Sequence, residues 1–353
     1  MQTKSNQYVS LNNMPQKVPL QDIISAEGQG HITTYYIYRE ENDRILITTA
    51  AQPKTQKRRQ KKQKEDPSSL EDPAGYYVHR PYLSFHHPPR TLHHTASRDG
   101  DSICLIHSYS CWRRWRLQFG PAIATAIDPR GVVKWQHRTH VDNKVHGDCD
   151  LKGYKVRCWR LWGESGKQYH RDVNAKRNQG HDSEDDQACH EQLQATDTFQ
   201  MAWSTPFSKQ TRKYKFSYSG IEFAWKGTKN LPGDSKWPRR LMPWHHLKLV
   251  AQLPCKMAKH ELNEVVIAQF TCSAEADEYG SLIVLDSQLC MVLGLDTVPQ
   301  SMIEERAKGT AFAKIHDVIV ATAICMIVGE WQKRKTIVSL VITLLFVGAT
   351  TDW

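Results

Sequence analysis

The chain lacks every compact signature of catalysis. It contains no GxSxG nucleophile elbow, Walker loop, GxGxxG turn, HExxH pair or kinase motif set, and Gly163-Glu-Ser-Gly166 has a turn's composition without the elbow's spacing. No enzymatic activity and no cofactor are therefore expected. Its nine cysteines (104, 111, 149, 158, 189, 255, 272, 290 and 325) are odd in number and include no CxxC pair, which argues against a zinc ribbon or a thioredoxin-type centre. The opening Met-Gln-Thr-Lys-Ser-Asn-Gln leads into no apolar signal segment, so free thiols in an intracellular, reducing compartment are the expectation. No repeat of fixed period is visible, which argues against a solenoid or propeller.

What is present is a moderately basic chain with enough apolar content for a core. Of 353 residues 40% are hydrophobic, and 47 Lys and Arg against 37 Asp and Glu leave a net charge of +10. That balance favours anionic partners, phospholipid headgroups or nucleic acid, without choosing between them. Lys54, Lys57, Arg58, Arg59, Lys61, Lys62 and Lys64 concentrate seven of the charges in one run. The surrounding residues 1–75 are polar and end in Glu65-Asp-Pro-Ser-Ser-Leu-Glu-Asp-Pro-Ala-Gly75, so they read as a disordered basic arm. Within the arm, Thr33–Tyr38 and Arg44–Thr49 have the pattern of a short hairpin. Ordered structure is expected to open around Pro81–Pro89.

Beyond the arm the period is two. Trp115, Leu117 and Phe119 share one face and Trp112, Arg114, Arg116 and Gln118 the other; Tyr154, Val156, Cys158 and Trp162 alternate with Lys155, Arg157, Trp159 and Leu161; Tyr214, Phe216 and Tyr218 alternate with Lys213, Lys215 and Ser217. Each is the pattern of a half-buried antiparallel strand. Turns are read at Asp128-Pro-Arg-Gly131, Ser219-Gly220 and Gly227. Further strands are expected at Ser102–His107, Ala122–Ile127, Phe199–Trp203, His246–Gln252, Val265–Thr271 and Ser281–Asp286, making roughly ten to twelve in all, the count of an all-β barrel or sandwich. Two insertions interrupt them: a polar stretch near 166–198 and a helical one near 287–314, with Asp286 or Ser287 as N-cap and Leu289, Val292 and Leu293 on one face.

Near the C-terminus the pattern changes. Asp317-Val-Ile-Val-Ala-Thr-Ala-Ile-Cys-Met-Ile-Val-Gly329 is apolar on every side, so a helix here has no face for water and must be enclosed. Val318–Gly329 would be about 18 Å long, short of the ~30 Å bilayer core, so protein is the expected wrapper. Val318, Ile319, Ala321, Ala323, Ile324, Met326 and Ile327 are all expected to face walls.

This order of elements resembles the superfamily of tubby C-terminal domains, phospholipid scramblases and plant LURP-one-related proteins, in the style of its fungal tubby-like members. The segments that carry the likeness are Glu264-Val-Val-Ile-Ala-Gln-Phe270, Cys272–Tyr279, Gly280-Ser-Leu-Ile-Val-Leu-Asp286 and Asp317–Gly329 closed by Glu330, with Ile127-Asp-Pro-Arg-Gly-Val-Val-Lys-Trp135 upstream. The chain departs from that order by about thirty extra residues before the central helix. The resemblance implies a mainly β fold over residues 80–335: a closed antiparallel barrel of about twelve strands around a C-terminal hydrophobic helix, 317–331. It also implies phosphoinositide binding on a basic barrel face, although the tubby lysine–arginine site matches no individual positions here.

Arg113, Arg114 and Arg116, with Lys155, Arg157 and Arg160, are the candidate anionic-lipid contacts. Arginine beside tryptophan suits phosphate capture with ring insertion at a membrane, or stacking on a nucleic-acid base; the plainer alternative is that the tryptophans pack the barrel and the arginines solvate it. Lys57, Arg58, Arg59, Lys61 and Lys62 read as a nuclear targeting signal, a lipid tether or a solvated linker. His86-His87, His93-His94 and His245-His246 put adjacent rings on opposite faces of a strand, so no metal site is expected. Asp277, Glu278 and Asp286 lack the ligand spacing of a calcium loop. Thr336–Thr351, uncharged and preceded by Lys333-Arg-Lys335, reads as a membrane tail anchor, a last strand or a second buried helix. The functional expectation is a monomeric, non-enzymatic module that binds anionic membrane lipids, cytoplasmic with membrane association. The alternatives are a nuclear or nucleic-acid-binding protein acting through the arm, and an integral protein anchored by 336–351.

Overall fold

The wall is built by period-two alternation. A computed structural model describes residues 31–40, 44–51, 72–79, 83–84, 89–97, 100–109, 114–126, 151, 161–162, 194–204, 213–227, 246–254, 262–273 and 277–350. Twelve of its strands form one closed antiparallel barrel around a C-terminal apolar helix. In chain order they are β1 (Ile32–Arg39), β2 (Ile45–Thr48), β3 (Tyr76–His79), β5 (Arg90–His94), β6 (Ser102–Ser108), β7 (Arg114–Phe119), β9 (Asp197–Ser204), β10 (Lys213–Tyr218), β11 (Ile221–Gly227), β12 (Leu247–Pro254), β13 (Leu262–Cys272) and β14 (Glu278–Leu285). A separate short pair joins β4 (Leu83–Ser84) to β8 (Leu161–Trp162). On β7 the expected alternation holds: Trp115, Leu117 and Phe119 are buried in the main core and Arg114 is exposed outside. The β10–β11 hairpin turns on Ser219 (φ 50°) and Gly220 (φ 76°), a two-residue loop whose positive φ values match the twist of its strands.

Closure depends on β1, which pairs with β2 on one side and β14 on the other, from Ile32↔Leu285 to Tyr38↔Glu278. The barrel therefore begins at Ile32, not at residue 80, and its first two strands lie inside what reads as a disordered arm. The local hairpin pattern there is correct, but the partner that makes it structure is some 250 residues away. At β14, Gly280 admits a close strand approach, since a Cβ there would sit 2.0 Å from the Thr271 carbonyl oxygen.

Ala122–Ile127, expected as a strand, is instead a short helix, α1 (Ala122–Ala126). Alanine favours helix, and Ile123 packs with Leu105, Leu151 and Ala195 in a small cluster of its own. The insertion before the central helix holds α2 (Asp286–Leu293) and α3 (Met302–Lys308). Leu289 and Val292 are buried and Leu293 packs against the core, as the pattern predicts. Asp286 does not cap α2, because its carboxylate is drawn into the barrel by His316 and Thr33. Helix α3 does have a side-chain cap: Ser301 Oγ accepts the Glu304 N–H, and Gly309 (φ 63°) ends the helix left-handed.

The central helix, α4 (Ala311–Thr350), is longer at both ends than the expected 317–331. Thr310 Oγ1 accepts the Ala313 N–H at its start, a cap hidden in the sequence among other polar residues. No proline interrupts the segment, so nothing in the chain stops the helix at Glu330. Residues Val318 to Glu330 are buried without a break, including all seven positions expected to face walls. Ala323 is 1% exposed with apolar neighbours around it, so Ala323→Asp places an unpaired carboxylate in the core. The expected outcome is no soluble folded protein, checked by circular dichroism and a thermal melt; a stable, soluble Ala323→Asp chain would contradict the enclosure.

Candidate functional site

Four polar side chains of α4, His316, Asp317, Thr322 and Glu330, fix it inside the barrel and define its two ends. At the N-terminal part of the helix, His316 donates to Asp286 Oδ1 (2.9 Å) and lies 3.3 Å from the Tyr35 hydroxyl, while Asp317 accepts from Tyr76 (2.9 Å) and His94 (3.1 Å). Midway, Trp225 Nε1 donates to Thr322 Oγ1 at 3.1 Å, and the Thr322 hydroxyl in turn donates to the Val318 carbonyl at 2.8 Å. At the far end, Tyr214 donates to Glu330 Oε1 at 2.6 Å. These bonds to the wall, and from His316 to Asp286 of α2, set the rotation and axial position of an otherwise featureless helix.

The carboxylate–imidazole–phenol chain Asp286–His316–Tyr35 has the order of a catalytic relay. Both His316 and Tyr35 are fully buried, and burial pushes the Tyr35 phenol far above its ordinary range. A phenol held protonated and out of reach of substrate serves as a structural lock, not a nucleophile. Arg306 of α3 closes this end from outside: it donates to the carbonyls of Pro73, Ala74 and Gly75 and stands 4.3 Å over the Tyr76 ring. Among the described residues no three His, Cys, Asp or Glu side chains gather as metal ligands do.

A basic surface lies on the outside of the wall. Strand register aligns Lys213, Lys226 and Lys248 across β10, β11 and β12, and Lys215 and Arg114 stand on either side of Ala202 of β9. With Arg116 these make six cations on one outer band, accompanied by two carboxylates, Glu222 and Glu264. Lys226 pairs with Glu264, which also accepts from Gln252. Burial works to raise the Glu264 carboxyl, but the hydrogen bond and charge of Lys226 outweigh it and hold the group below its usual range. The Lys213 ammonium moves below its ordinary 10.5, first by desolvation and then by the charges of Lys226 and Lys215. Like charges placed opposite one another across strands cost stability, so this row is a concentration of cation that the fold bears at a loss.

Arg114 and Arg116 are the candidate lipid contacts that the structure places, both on this band. Arg113, Lys155, Arg157 and Arg160, and the arm residues Lys57, Arg58, Arg59, Lys61 and Lys62, lie outside the described residues. Trp115, between the two arginines, is 3% exposed and packs against Tyr214 with ring centroids 5.6 Å apart. It fills the barrel, so ring insertion into a membrane is not its role. His93 and His94 point to opposite faces as expected: His94 reaches inward to Asp317 and His93 bonds the Gly100 carbonyl outside. The lysines of the band were visible in the sequence only as outward residues of separate strands.

Comparison with protein-family models, with curated proteins and with solved structures finds no match to this chain.

Lys213→Met is expected to raise stability by a few tenths of a kcal/mol, because it relieves a cross-strand repulsion. The gain is largest at neutral pH. A lysine whose folded pKa lies below its unfolded one costs stability while it is charged, and that cost fades as pH rises through the lowered value toward 10.5. Urea melts at neutral and alkaline pH check both parts.

Proposed function

We propose that this barrel is a non-enzymatic module, of the tubby-like, LURP-one-related and scramblase type, that docks on anionic phospholipid surfaces. The observation that carries the reading is the outer cation band, with Lys213, Lys226 and Lys248 in register and Arg114, Arg116 and Lys215 beside them. Six cations against two carboxylates on a rigid wall present the multivalent charge that a lipid headgroup layer rewards, about 1 kcal/mol for each basic residue near the surface. A barrel with an enclosed apolar plug is also the architecture that the family resemblance implies. The sequence holds no catalytic motif, and the relay-like chain Asp286–His316–Tyr35 found among the described residues is buried, which favours binding over chemistry. The natural setting is the cytoplasmic leaflet, where anionic lipid is concentrated.

Flotation with liposomes tests this. The initial association of full-length protein with phosphatidylserine or phosphoinositide vesicles should weaken as the salt present during mixing is raised. Lys213→Ala, Lys226→Ala and Lys248→Ala together should lower the anionic-vesicle partition coefficient by about two orders of magnitude, from about 1 kcal/mol for each charge removed. Equal recovery on neutral and anionic vesicles would rule the reading out.

A further inference from the structure

Helix α4 continues well past the stretch that the barrel encloses. At about 1.5 Å per residue its 40 residues span about 60 Å, of which Ala311–Trp331 accounts for about 30 Å as the barrel plug. The backbone stays helical from Gln332 to Thr350. That continuation opens with Lys333-Arg334-Lys335 and then carries no charge through 336–350. From Ile337 to Val347 its only polar residues are Ser339 and Thr343, so the helix has no broad wet face there and requires an apolar surrounding.

The end of the barrel from which it leaves is identified by contacts. Tyr214 bonds Glu330, Tyr279 meets the Trp331 ring edge-on, and Arg39 stands 4.2 Å over that ring. Strand register puts Arg39, Arg114, Lys213, Lys226 and Lys248 at this same end. Among the described residues, Asp101, Asp197, Asp286 and Asp317 belong to the opposite end, with Arg306 of α3 beside them; the acids on the basic side are Glu330, bonded to Tyr214, and Glu40, Asp277 and Glu278 at the β1–β14 corner. The barrel is thus charged unequally along its axis, and the uncharged helix emerges from the cationic pole. A second copy of the same pole would be repelled. An anionic bilayer satisfies both features at once: headgroups for the cations and the tribasic flank, acyl chains for the helix.

We propose that residues 336–350 insert into the leaflet on which the barrel docks, so that one unbroken helix is plug on one side and lipid anchor on the other. This rests on the cation-band reading for its orientation, with the helix-exit pole facing the membrane. The uncharged stretch is about 22 Å long, enough to pass the midplane of a ~30 Å core but short of crossing it, which makes it an anchor set in from one face.

Full-length protein on phosphatidylcholine–phosphatidylserine vesicles should resist extraction by high salt and by alkaline carbonate. Leu344→Arg with Leu345→Arg, placed beyond the buried stretch that ends at Glu330, should abolish carbonate resistance and leave salt-sensitive binding intact. Wild-type protein released by carbonate overturns the proposal, as does a double variant as resistant as wild type. A second measurement needs no variant: trypsin cleaves at Lys333–Lys335, and mass spectrometry should find the peptide beginning at 336 with the vesicles, whereas its release into solution sinks the anchor. The two readings fail separately. Carbonate release with a retained preference for anionic vesicles removes the anchor alone; carbonate resistance with equal binding to neutral vesicles removes the cation band alone.

Discussion

A helix that is apolar all round cannot meet water on any side, and the rest of this molecule follows from that constraint. One sheet face covers only part of such a helix; a closed wall covers all of it. Closure in turn requires the earliest and latest strands to meet, which is why β1, deep in an otherwise polar stretch, pairs with β14 immediately before the helical insertion. The inward residues of the wall are large and aromatic where the helix is slim, as with Trp225 and Phe223 opposite a plug rich in alanine, valine and isoleucine. Wall and plug fill each other's volume.

Apolar packing alone leaves such a helix free to slide and rotate, since valine, isoleucine and alanine are nearly interchangeable to a smooth wall. The buried hydrogen bonds supply what packing does not. Asp286, His316, Tyr35, Asp317, Tyr76 and His94 lock one end, Trp225 and Thr322 the middle, and Tyr214 with Glu330 the other. Removing one partner strands the other in a dry interior, so the network specifies position more than it adds net stability. The outer cation row is its counterpart: like charges in register across three strands are a stability cost carried on the surface.

Much of the architecture was legible in the sequence, for physical reasons. Burial on all sides is a property of composition, so Val318–Gly329 announces itself without any partner. Alternation is equally local, and Trp115, Leu117 and Phe119 point where the pattern says. What depends on distant pairing was not legible. Nothing around Ile32–Arg39 reveals Glu278–Leu285 as its neighbour, so the arm hid two wall strands. Lys213 and Lys226 belong to one site only because a hairpin sets them opposite, and Lys248 joins them only through a third strand's register. Arg114 and Arg116 were found because their residues already clustered along the chain. Ala122–Ala126 shows the converse failure, where apolar residues at short spacing suited strand and helix alike and the packing of Ile123 decided.

The order of parts along the chain carries a consequence for biogenesis. Every wall strand leaves the ribosome before Ala311, and β1 waits for β14 before it has its second neighbour. During synthesis the inner faces are therefore made without the one element that can fill them, and strands of high sequence separation must find each other while still hollow. Such a nascent chain exposes aromatic surface until the helix that fills it has been made. The hollow wall is thus the stage of folding most exposed to aggregation, and the position of a single helix sets when it ends.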